Sequence, residues 1–300
     1  MSSCAPISAQ LPTFVPTRHS TATLAPLVSP MPTATAGTIG VLMPTASYTP
    51  TLVPTATLTA SPTVTLVASA TATPLPAQFS FGKSAGGRDL LAYRIGTGAT
   101  VLMLVGGVHM GYEANTARLL NEVITHYQAV GVSDGMSLLI IPTLNADGVG
   151  RDGQLAGRFN GNGVDLNRNW GCGWAEEAYF REGRVNAGSA PFSEPETQAL
   201  GALIQQLRPQ AVLFYHAAAR GVFAGDCGGG GVSQALAQAY SEASGYPYGE
   251  AFTAYPVSGT APSWVDSLGI ASADVELAST DSTEFTRNLR AIERLLGRGN

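Results

Sequence analysis

Charged residues are scarce in this sequence: Asp, Glu, Lys and Arg make up 12% of its 300 residues. The formal net charge is −5 and the basic residues are scattered, so nothing indicates a nucleic-acid partner. No stretch reaches the length of a membrane-spanning helix, and the N-terminus shows neither the basic start nor the long apolar run of a signal peptide. We therefore expect neither a nucleic-acid-binding protein nor a transmembrane helix.

The first 76 residues lack acidic side chains altogether, and Arg18 is their only Lys or Arg. They are rich in Thr, Pro and Ala without sustained apolar periodicity, and their prolines remove hydrogen bonds that a helix or sheet would need. We expect residues 1–76 to form a disordered linker or stalk and residues 77–300 to form one globular domain. If the natural chain begins upstream, Cys4 would be a lipid-modified anchor; otherwise it is an exposed thiol.

Beyond the stalk, short apolar runs alternate with amphipathic ones. Four apolar runs predict strands, at residues 100–109, 136–145, 210–216 and 268–277. Residues 146–192 are expected to form a long loop, followed by a helix that Ser193 caps. Alternating strands and helices predict an α/β fold, with a mixed, mostly parallel central sheet flanked by helices on both faces.

Polar residues fall at the ends of the predicted strands. His109, Asn145, His216 and Glu276 each stand at or near the carboxyl end of one strand. Ligands of such sheets bind beyond the carboxyl ends of the strands. We therefore expect these four side chains to meet at one rim of the sheet.

The two strand-end histidines and a nearby acid form a candidate metal site: His109, His216 and Glu113. A catalytic zinc ion takes three protein ligands of the imidazole or carboxylate type and keeps a fourth position for water. Each residue also has an ordinary explanation, since a lone strand-end histidine is usually a hydrogen-bonded structural residue. Likewise, Glu113 would be a first-turn acid that the helix dipole favours. The combination favours the metal site, because the domain has few histidines and two of them lie at strand ends near an acid.

The same residues belong to an ordered series of motifs that resembles the zinc carboxypeptidases of the carboxypeptidase A type. After His109 and Glu113 the series comprises NADG (145–148), Arg158, DLNRN (165–169), PFSEPE (191–196), His216, Tyr255 before SGT, and Glu276 within VEL. The resemblance covers nearly all of residues 79–298. It implies one Zn²⁺ per domain, bound by His109, Glu113 and His216.

The resemblance also implies the catalytic groups. Glu276 would take a proton from the attacking water and deliver it to the leaving nitrogen, as general base and acid. The alternative is that Asp274 and Glu276 are exposed residues of an edge strand. The residues that flank them are more apolar than an exposed strand would have, which argues against this alternative. Arg158 would stabilise the oxyanion of the tetrahedral intermediate, or else lie on the surface of its loop.

Four further residues would bind substrate or support the metal site. Asn167 and Arg168 would bind the terminal carboxylate of a peptide, although Arg168 paired with a neighbouring acid is an alternative. Tyr255 would close over the terminal residue of the substrate. Asp165 would accept a hydrogen bond from the free ring nitrogen of a metal-bound histidine, His109 in our assignment.

One departure from the family pattern concerns the metal site. Three residues rather than two separate His109 from Glu113, and we expect Gly111 among them to accommodate the extra residue. We also expect Cys172 and Cys227 to form a disulfide, because both of their loops should reach the same rim and an exported protein permits the bond. Metal ligation by these cysteines is the weaker alternative, since no C-x-x-C pair is present.

The sequence thus predicts an exported, monomeric zinc metallocarboxypeptidase that hydrolyses the C-terminal bond of peptides with a free carboxylate, cell-wall peptides among the candidates. A cell-wall peptide amidase or N-acyl amino acid deacylase of the same fold is the alternative. Asn167, Arg168 and Tyr255 favour a substrate with a free carboxylate over the substrates of the alternative enzymes. An inactive binding module on a stalk is a third hypothesis, which predicts the loss of a ligand or of Glu276, and both are present.

Overall fold

In the computed structural model of this chain, the described residues are 75–227 and 231–298. Apart from residues 75 and 76, the predicted stalk lies outside them, as does Cys4, so both expectations stay predictions. The described strands are β1 (Gln78–Lys83), β2 (Asp89–Ile95), β3 (Thr100–Val105), β4 (Met136–Ile141), β5 (Glu177–Phe180), β6 (Gly183–Asn186), β7 (Ala211–Ala217), β8 (Gly221–Ala224), β9 (Tyr248–Gly249) and β10 (Ala271–Leu277). The described α-helices are α1 (Ala114–Val130), α2 (Pro195–Leu207), α3 (Val232–Ser244), α4 (Ala261–Ser267) and α5 (Phe285–Leu295).

Eight strands form the central sheet, in the order β1-β2-β4-β3-β7-β10-β8-β9. The β4–β3, β3–β7, β7–β10 and β8–β9 pairs are parallel, whereas β1–β2, β2–β4 and β10–β8 are antiparallel. The mixed, mostly parallel sheet is therefore confirmed. Because β3, β7 and β10 are parallel, their carboxyl ends meet at the same edge of the sheet.

Helices cover both faces of this sheet, as the alternating burial of β3 illustrates. Leu102 and Leu104 pack with side chains of α1, α3 and α5, whereas Met103 and Val105 pack with those of α2 and α4. Side chains alternate between faces along a strand, so an internal strand with apolar residues on both faces reads as one continuous apolar run. Burying each such side chain stabilises the fold by about 1.5–3 kcal/mol. The two packed layers hold the strand ends rigidly.

One expectation from the sequence is wrong, and one of the alternatives is excluded. Ser193 does not cap α2: Glu194 is the N-cap without a side-chain cap bond, Pro195 opens the helix, and the Ser193 hydroxyl donates to Glu194 Oε1 instead. Proline is suited to the first helical turn because its missing N–H has no helical partner there. The edge-strand alternative for Asp274 and Glu276 also fails, because β10 is hydrogen-bonded on both sides, to β7 and β8.

The segment at 146–192 is less of a loop than expected. It contains three short 3₁₀ turns and the separate two-stranded β5–β6 hairpin. The β1–β2 hairpin, the antiparallel strand β8 and the short helix α4 were likewise not predicted. In the described part of the chain, no helix has the length and apolar character needed to cross a bilayer.

Candidate active site

His109, Glu113 and His216 come together at the carboxyl edge of the sheet. Potential ligand atoms of these three buried residues all lie within 4.8 Å of one another, and they form the one group of this kind within residues 75–227 and 231–298. Both histidines point Nδ1 at Glu113, with His109 Nδ1 3.0 Å from Oε1 and His216 Nδ1 3.1 Å from Oε2. The chain thus presents two imidazole nitrogens and one carboxylate at a single point.

Gly111 accommodates the extra residue between His109 and Glu113. Its φ is +68°, and a Cβ there would lie 2.1 Å from the carbonyl oxygen of Gln154. The Met110 N–H donates to Gly157 O, and the Gly111 carbonyl accepts from the Gly153 N–H. Only glycine fits both the left-handed backbone and the close approach. The inserted turn therefore packs on the 153–157 segment and Glu113 still reaches His109.

The outer nitrogens of the two histidines face carboxylates. His109 Nε2 lies 2.8 Å from Asp165 Oδ1, the contact expected from the sequence, and His216 Nε2 lies 3.3 Å from Asp274 Oδ1. An acceptor on the outer nitrogen keeps the proton there and leaves the inner nitrogen free to ligate. The side chains are thus arranged as metal-binding imidazoles.

The balance of charge at this point is suited to a cation. Burial raises the pKa of Glu113, but His109 and His216 hold it well below its usual range. Burial likewise raises the pKa of Asp165, which Arg158 and His109 lower well below the usual value. Burial lowers the pKa of His216, yet Asp274 and Glu113 raise it well above its ordinary value. Buried carboxylates that attract positive charge, with two imidazoles and open space beside them, fit a divalent ion such as zinc.

This group opens into a cavity of about 860 Å³. Its polar lining comprises His109, Tyr112, Glu113, Arg158, Asn167, Arg168, Arg181, Glu182, His216, Tyr255, Thr260, Asp274, Glu276 and Thr280. Of the residues expected at the rim, Asn145 is absent from the lining. It is fully buried, and its Nδ2 donates to the carbonyls of Gly157 and Phe159, on either side of Arg158. Asn145 therefore supports the segment that carries Arg158.

Glu276 faces the cavity from β10, where its Cα is the register partner of His216 in β7. The Ala219 N–H donates to Oε2 over 3.1 Å. Burial raises the pKa of Glu276 to about 7, with Glu113 and Asp274 adding to the rise and His216 opposing it. A carboxyl group with a pKa near neutrality can both take up and release a proton.

Arg158 lies against the metal-site carboxylates. Its Nε donates to Asp165 Oδ2 at 2.8 Å and its Nη1 to Glu113 Oε1 at 3.1 Å. The guanidinium carbon is 3.9 Å from the centre of the Phe180 ring, a cation–π contact. Burial lowers the pKa of Arg158, but Asp165 and Glu113 outweigh this and raise it, so the group stays charged at the cavity wall.

Arg168 is held from behind by backbone carbonyls. Its Nε and Nη2 donate to Tyr179 O, and its Nη1 donates to Asn167 O. These bonds to described residues use three of the five N–H groups of a guanidinium and leave two, one on each terminal nitrogen. The acid-paired alternative for Arg168 does not appear among its described contacts. The remaining donors can bind a carboxylate in the cavity.

Tyr255 and Asn167 complete the same wall. The Tyr255 ring packs against Phe180 and Phe252, with ring centres 6.0 Å and 4.9 Å away. Burial raises the pKa of the Tyr255 hydroxyl, while Arg158 and Arg168 oppose the rise. Asn167 Oδ1 accepts from the Ala261 N–H, so its Nδ2 faces His216 at 3.3 Å.

The predicted disulfide between Cys172 and Cys227 is present, and it joins residues 55 positions apart. Neither cysteine is among the described residues that line the cavity, and the expected approach of both loops to one rim stays a prediction. Cys172 instead packs beside the apolar layer of α2 and α4, and the Cys227 N–H donates to Asp266 in α4. The disulfide therefore links the segment that follows Arg168 to the segment that follows β8.

Sequence reasoning missed the contributions of Phe180 and Asp274. Phe180 lies on the unpredicted β5–β6 hairpin, where the only signal in the sequence is the short alternation of polar and apolar residues in EAYF. Asp274 was considered only as an exposed residue of an edge strand. Its position two residues before Glu276 places both side chains on one face of β10, which was the signal for a shared site.

The sequence profile described as zinc carboxypeptidase matches residues 69–224 of this chain. The chain belongs to the zinc carboxypeptidase family. The match includes His109, Glu113, Arg158, Arg168 and His216 but ends before Tyr255 and Glu276. The placement of those last two residues in the same cavity rests on the geometry described above.

Members of this family with different activities are similar to the chain. Murein peptide amidase A of Escherichia coli (strain K12) is 40% identical over 87 residues, which are 26% of this chain and 34% of the amidase. Zinc carboxypeptidase A 1 of Anopheles gambiae is 26% identical over 216 residues, 62% of this chain and 49% of that protein. The chain thus spans half or less of the length of these curated relatives.

Two solved structures resemble the zinc carboxypeptidase fold found here. The murein-tripeptide amidase of Escherichia coli O157 has a TM-score of 0.56 and 25% identity, covering 76% of this chain and 94% of the amidase. Carboxypeptidase A of Helicoverpa armigera has a TM-score of 0.58 and 22% identity, covering 72% and 66% of the two chains. The likeness to the second structure concerns the fold alone.

Proposed function

We propose that this chain is a zinc-dependent metallocarboxypeptidase that hydrolyses the C-terminal bond of peptides bearing a free terminal carboxylate. The observation that carries the proposal is the shared cavity of His109, Glu113, His216, Glu276 and Arg168. A metal-binding group, a carboxylate of raised pKa and a guanidinium with free donors face one space. Metal-assisted hydrolysis of a C-terminal peptide bond uses these three parts.

Three buried side chains would hold the metal: His109 and His216 through Nδ1, and Glu113 through its carboxylate. When bound, Zn²⁺ lowers the pKa of a water molecule and polarises a carbonyl group. Asp165 keeps the proton of His109 on Nε2, so that Nδ1 retains its lone pair. Side chains of this protein would carry out proton transfer, stabilisation of the developing charge and binding of the substrate.

Glu276 acts as the proton carrier. Its ionised form takes a proton from the attacking water, and its protonated form gives that proton to the leaving nitrogen. The Ala219 N–H fixes one oxygen of the carboxylate, and burial places its pKa near the working range. Both halves of the proton transfer are thereby assigned to one group.

The two arginines have separate tasks. Arg158, beside Glu113, stabilises the negative charge that develops on the carbonyl oxygen of the scissile bond. Arg168 binds the terminal carboxylate through its two remaining donors, which fixes the scissile bond one residue from the end. Tyr255, packed on Phe180 between the two arginines, covers the terminal residue.

The test measures metal content and turnover of the full chain on matched peptides with free and amidated C-termini. Release of single C-terminal residues from the free acids, with no turnover of the amides, is the expected result. Zinc content of one ion per chain should accompany it. Equal cleavage of both peptide sets would contradict the role of Arg168, and a chain without metal would contradict the proposal as a whole.

A second candidate is a cell-wall peptide amidase, which the likeness to the murein peptide amidases favours. The same metal group and Glu276 would serve this reaction, and the substrate decides between the two. Peptides from bacterial cell wall belong in the same panel beside ordinary peptides. Turnover of the cell-wall peptides alone would favour the amidase, and turnover of the ordinary peptides would favour the carboxypeptidase.

We further propose that the protein is exported and monomeric, and the disulfide supports export.

A further inference from the structure

The two histidines of the metal group differ in what surrounds their outer nitrogen. His109 Nε2 has one polar neighbour at hydrogen-bond distance, Asp165 Oδ1 at 2.8 Å. His216 Nε2 has two at the same distance of 3.3 Å, the amide nitrogen of Asn167 and Oδ1 of Asp274. One of these neighbours is a donor and the other an acceptor. The tautomer of His216 therefore depends on which of them prevails.

Asn167 favours the tautomer that cannot bind metal. Its Oδ1 accepts from the Ala261 N–H at 2.8 Å, which turns the NH₂ group toward His216. An NH₂ group can only donate, so it bonds to Nε2 only when that nitrogen carries a lone pair. The proton then sits on Nδ1, the nitrogen that faces Glu113 and would ligate the metal. If Asn167 were the only partner of Nε2, His216 would hold its proton on Nδ1 and could not bind the metal through that nitrogen.

Asp274 favours the opposite tautomer. It lies on β10 two residues before Glu276, and its side chain is 14% exposed. Its Oδ1 is buried and makes no hydrogen bond of good geometry with the described residues, so His216 Nε2, at ion-pair distance, is the group positioned to satisfy it. A carboxylate only accepts, and a buried acceptor without a partner is unfavourable by about 1–3 kcal/mol. A proton on Nε2 removes this penalty, so Nδ1 is the nitrogen that can give up its proton and bind the metal.

We infer that Asp274 is the positioning residue that keeps His216 in the Nε2–H tautomer and so presents Nδ1 to the metal. The inference rests on the metal site of the proposed function. Asp274 does for His216 what Asp165 does for His109, from the neighbouring strand rather than from a loop. It contacts neither the metal position nor a reacting atom; it acts through His216.

The test compares the full-length protein with Asp274→Leu and Asp274→Asn. Zinc dissociation constants come from competition with a chelator, and ¹⁵N shifts of the His216 ring report its tautomer. Asp274→Leu removes the acceptor at similar size, and we expect zinc affinity to fall about 10- to 100-fold, with Nε2 no longer protonated and a proton held on Nδ1 in the metal-free protein. Asp274→Asn can turn a carbonyl oxygen toward His216, so its affinity should be intermediate.

Asp147→Asn is the matched control. Asp147 is also a buried carboxylate, but it accepts from Ser84, Gly86 and Gly161, none of which lines the cavity. Its variant should keep the zinc affinity and the His216 tautomer of the wild type, which separates tautomer control from the general effect of losing a buried charge.

The possible outcomes are distinct. Wild-type zinc affinity and an unchanged His216 tautomer in folded Asp274→Leu would overturn the inference while leaving the proposed function intact. If Asp274→Leu does not fold, the zinc affinity of Asp274→Asn decides: an affinity below that of the wild type supports the inference, and wild-type affinity overturns it. A wild-type protein that binds no zinc would instead refute the metal site of the proposed function.

Discussion

His216 of β7 and Glu276 of β10 are register partners on adjacent parallel strands, and both side chains line the same cavity. The sheet itself therefore sets the separation of a proposed metal ligand from the proposed proton carrier. We expect Glu276→Gln to lower kcat by about 10²- to 10⁴-fold, because glutamine has a similar shape but cannot accept the water proton. Zinc content should not change, since Glu276 lies outside the ligand group.

Glu122→Gln serves as its control, because this acid lies on the exposed face of α1 and bonds only Thr283 among its described hydrogen-bond partners. Its kcat should equal that of the wild type. Near-normal kcat in Glu276→Gln with full zinc occupancy would mean that another group carries the proton.

The pH dependence of kcat/KM should reflect Glu276. Burial raises the pKa of this carboxyl to about 7, and only the ionised form can act as the base. Activity should therefore rise with pH and level off above the pKa. A bound dication favours the carboxylate, so the inflection of the zinc-loaded protein should lie at or below about 7. A profile without an acidic limb would contradict this assignment.

Gly111 should tolerate no side chain. In Gly111→Ala, the added Cβ would lie 2.1 Å from the backbone oxygen of Gln154 and the residue would keep a φ of +68°. We expect loss of zinc affinity and a fall in unfolding free energy beyond the roughly 1–3 kcal/mol of left-handed strain alone. Both quantities can be measured by chelator competition and urea denaturation.

Gly131→Ala isolates the strain from the collision. Gly131 has a nearly identical φ of +67°, but nothing lies within 4 Å of an added Cβ. It should lose stability only by the strain and keep its zinc affinity. If the two variants behave alike, the contact between the inserted turn and the 153–157 segment does not position Glu113.

We expect Phe180 to affect catalysis through its cation–π contact with Arg158. Phe180→Leu keeps an apolar side chain but removes the ring over the guanidinium. Cation–π contacts of about 0.5–2 kcal/mol predict a roughly 2- to 30-fold drop in kcat/KM with zinc affinity unchanged. The neighbouring Tyr179 uses its backbone oxygen to hold Arg168, so Tyr179→Leu should have little effect. Equal kcat/KM for the two variants would exclude a role for the ring.

The apolar periodicity of the sequence was sufficient for the central strands of the sheet and not for the β5–β6 hairpin. The segments that became β3 and β7 carry apolar residues on both faces, which pack into the two layers, so these strands could be predicted. The β5–β6 hairpin is largely solvent-exposed and short, so its pattern is weak. Asp274 could not be predicted as a buried site residue for a different reason. Its burial depends on the order of the strands, and no local pattern shows that β10 lies between β7 and β8.

Glu284 should make stability depend on pH, away from the active site. Its carboxylate accepts from the Ala278 N–H, the Tyr246 hydroxyl and Arg287, at the start of α5. Burial alone raises the pKa of Glu284, but these donors lower it below the usual range. Because the folded-state pKa is depressed, the stabilisation is complete above the unfolded-state pKa of about 4.3 and is lost as pH falls through the folded-state pKa.

In Glu284→Gln, an uncharged amide replaces the acceptor of these three bonds. We expect the unfolding free energy at about pH 7 to fall by roughly 1–2 kcal/mol, at the lower end for charged hydrogen bonds because the site is partly solvated. The difference from the wild type should shrink as pH falls below about 4.3, where the wild type also loses the charge. Glu293→Gln, at a half-buried position of the same helix, is the control for the loss of an acidic side chain. Urea denaturation over a pH series measures both, and a pH-independent difference for Glu284→Gln would mean that shape rather than charge stabilises this helix start.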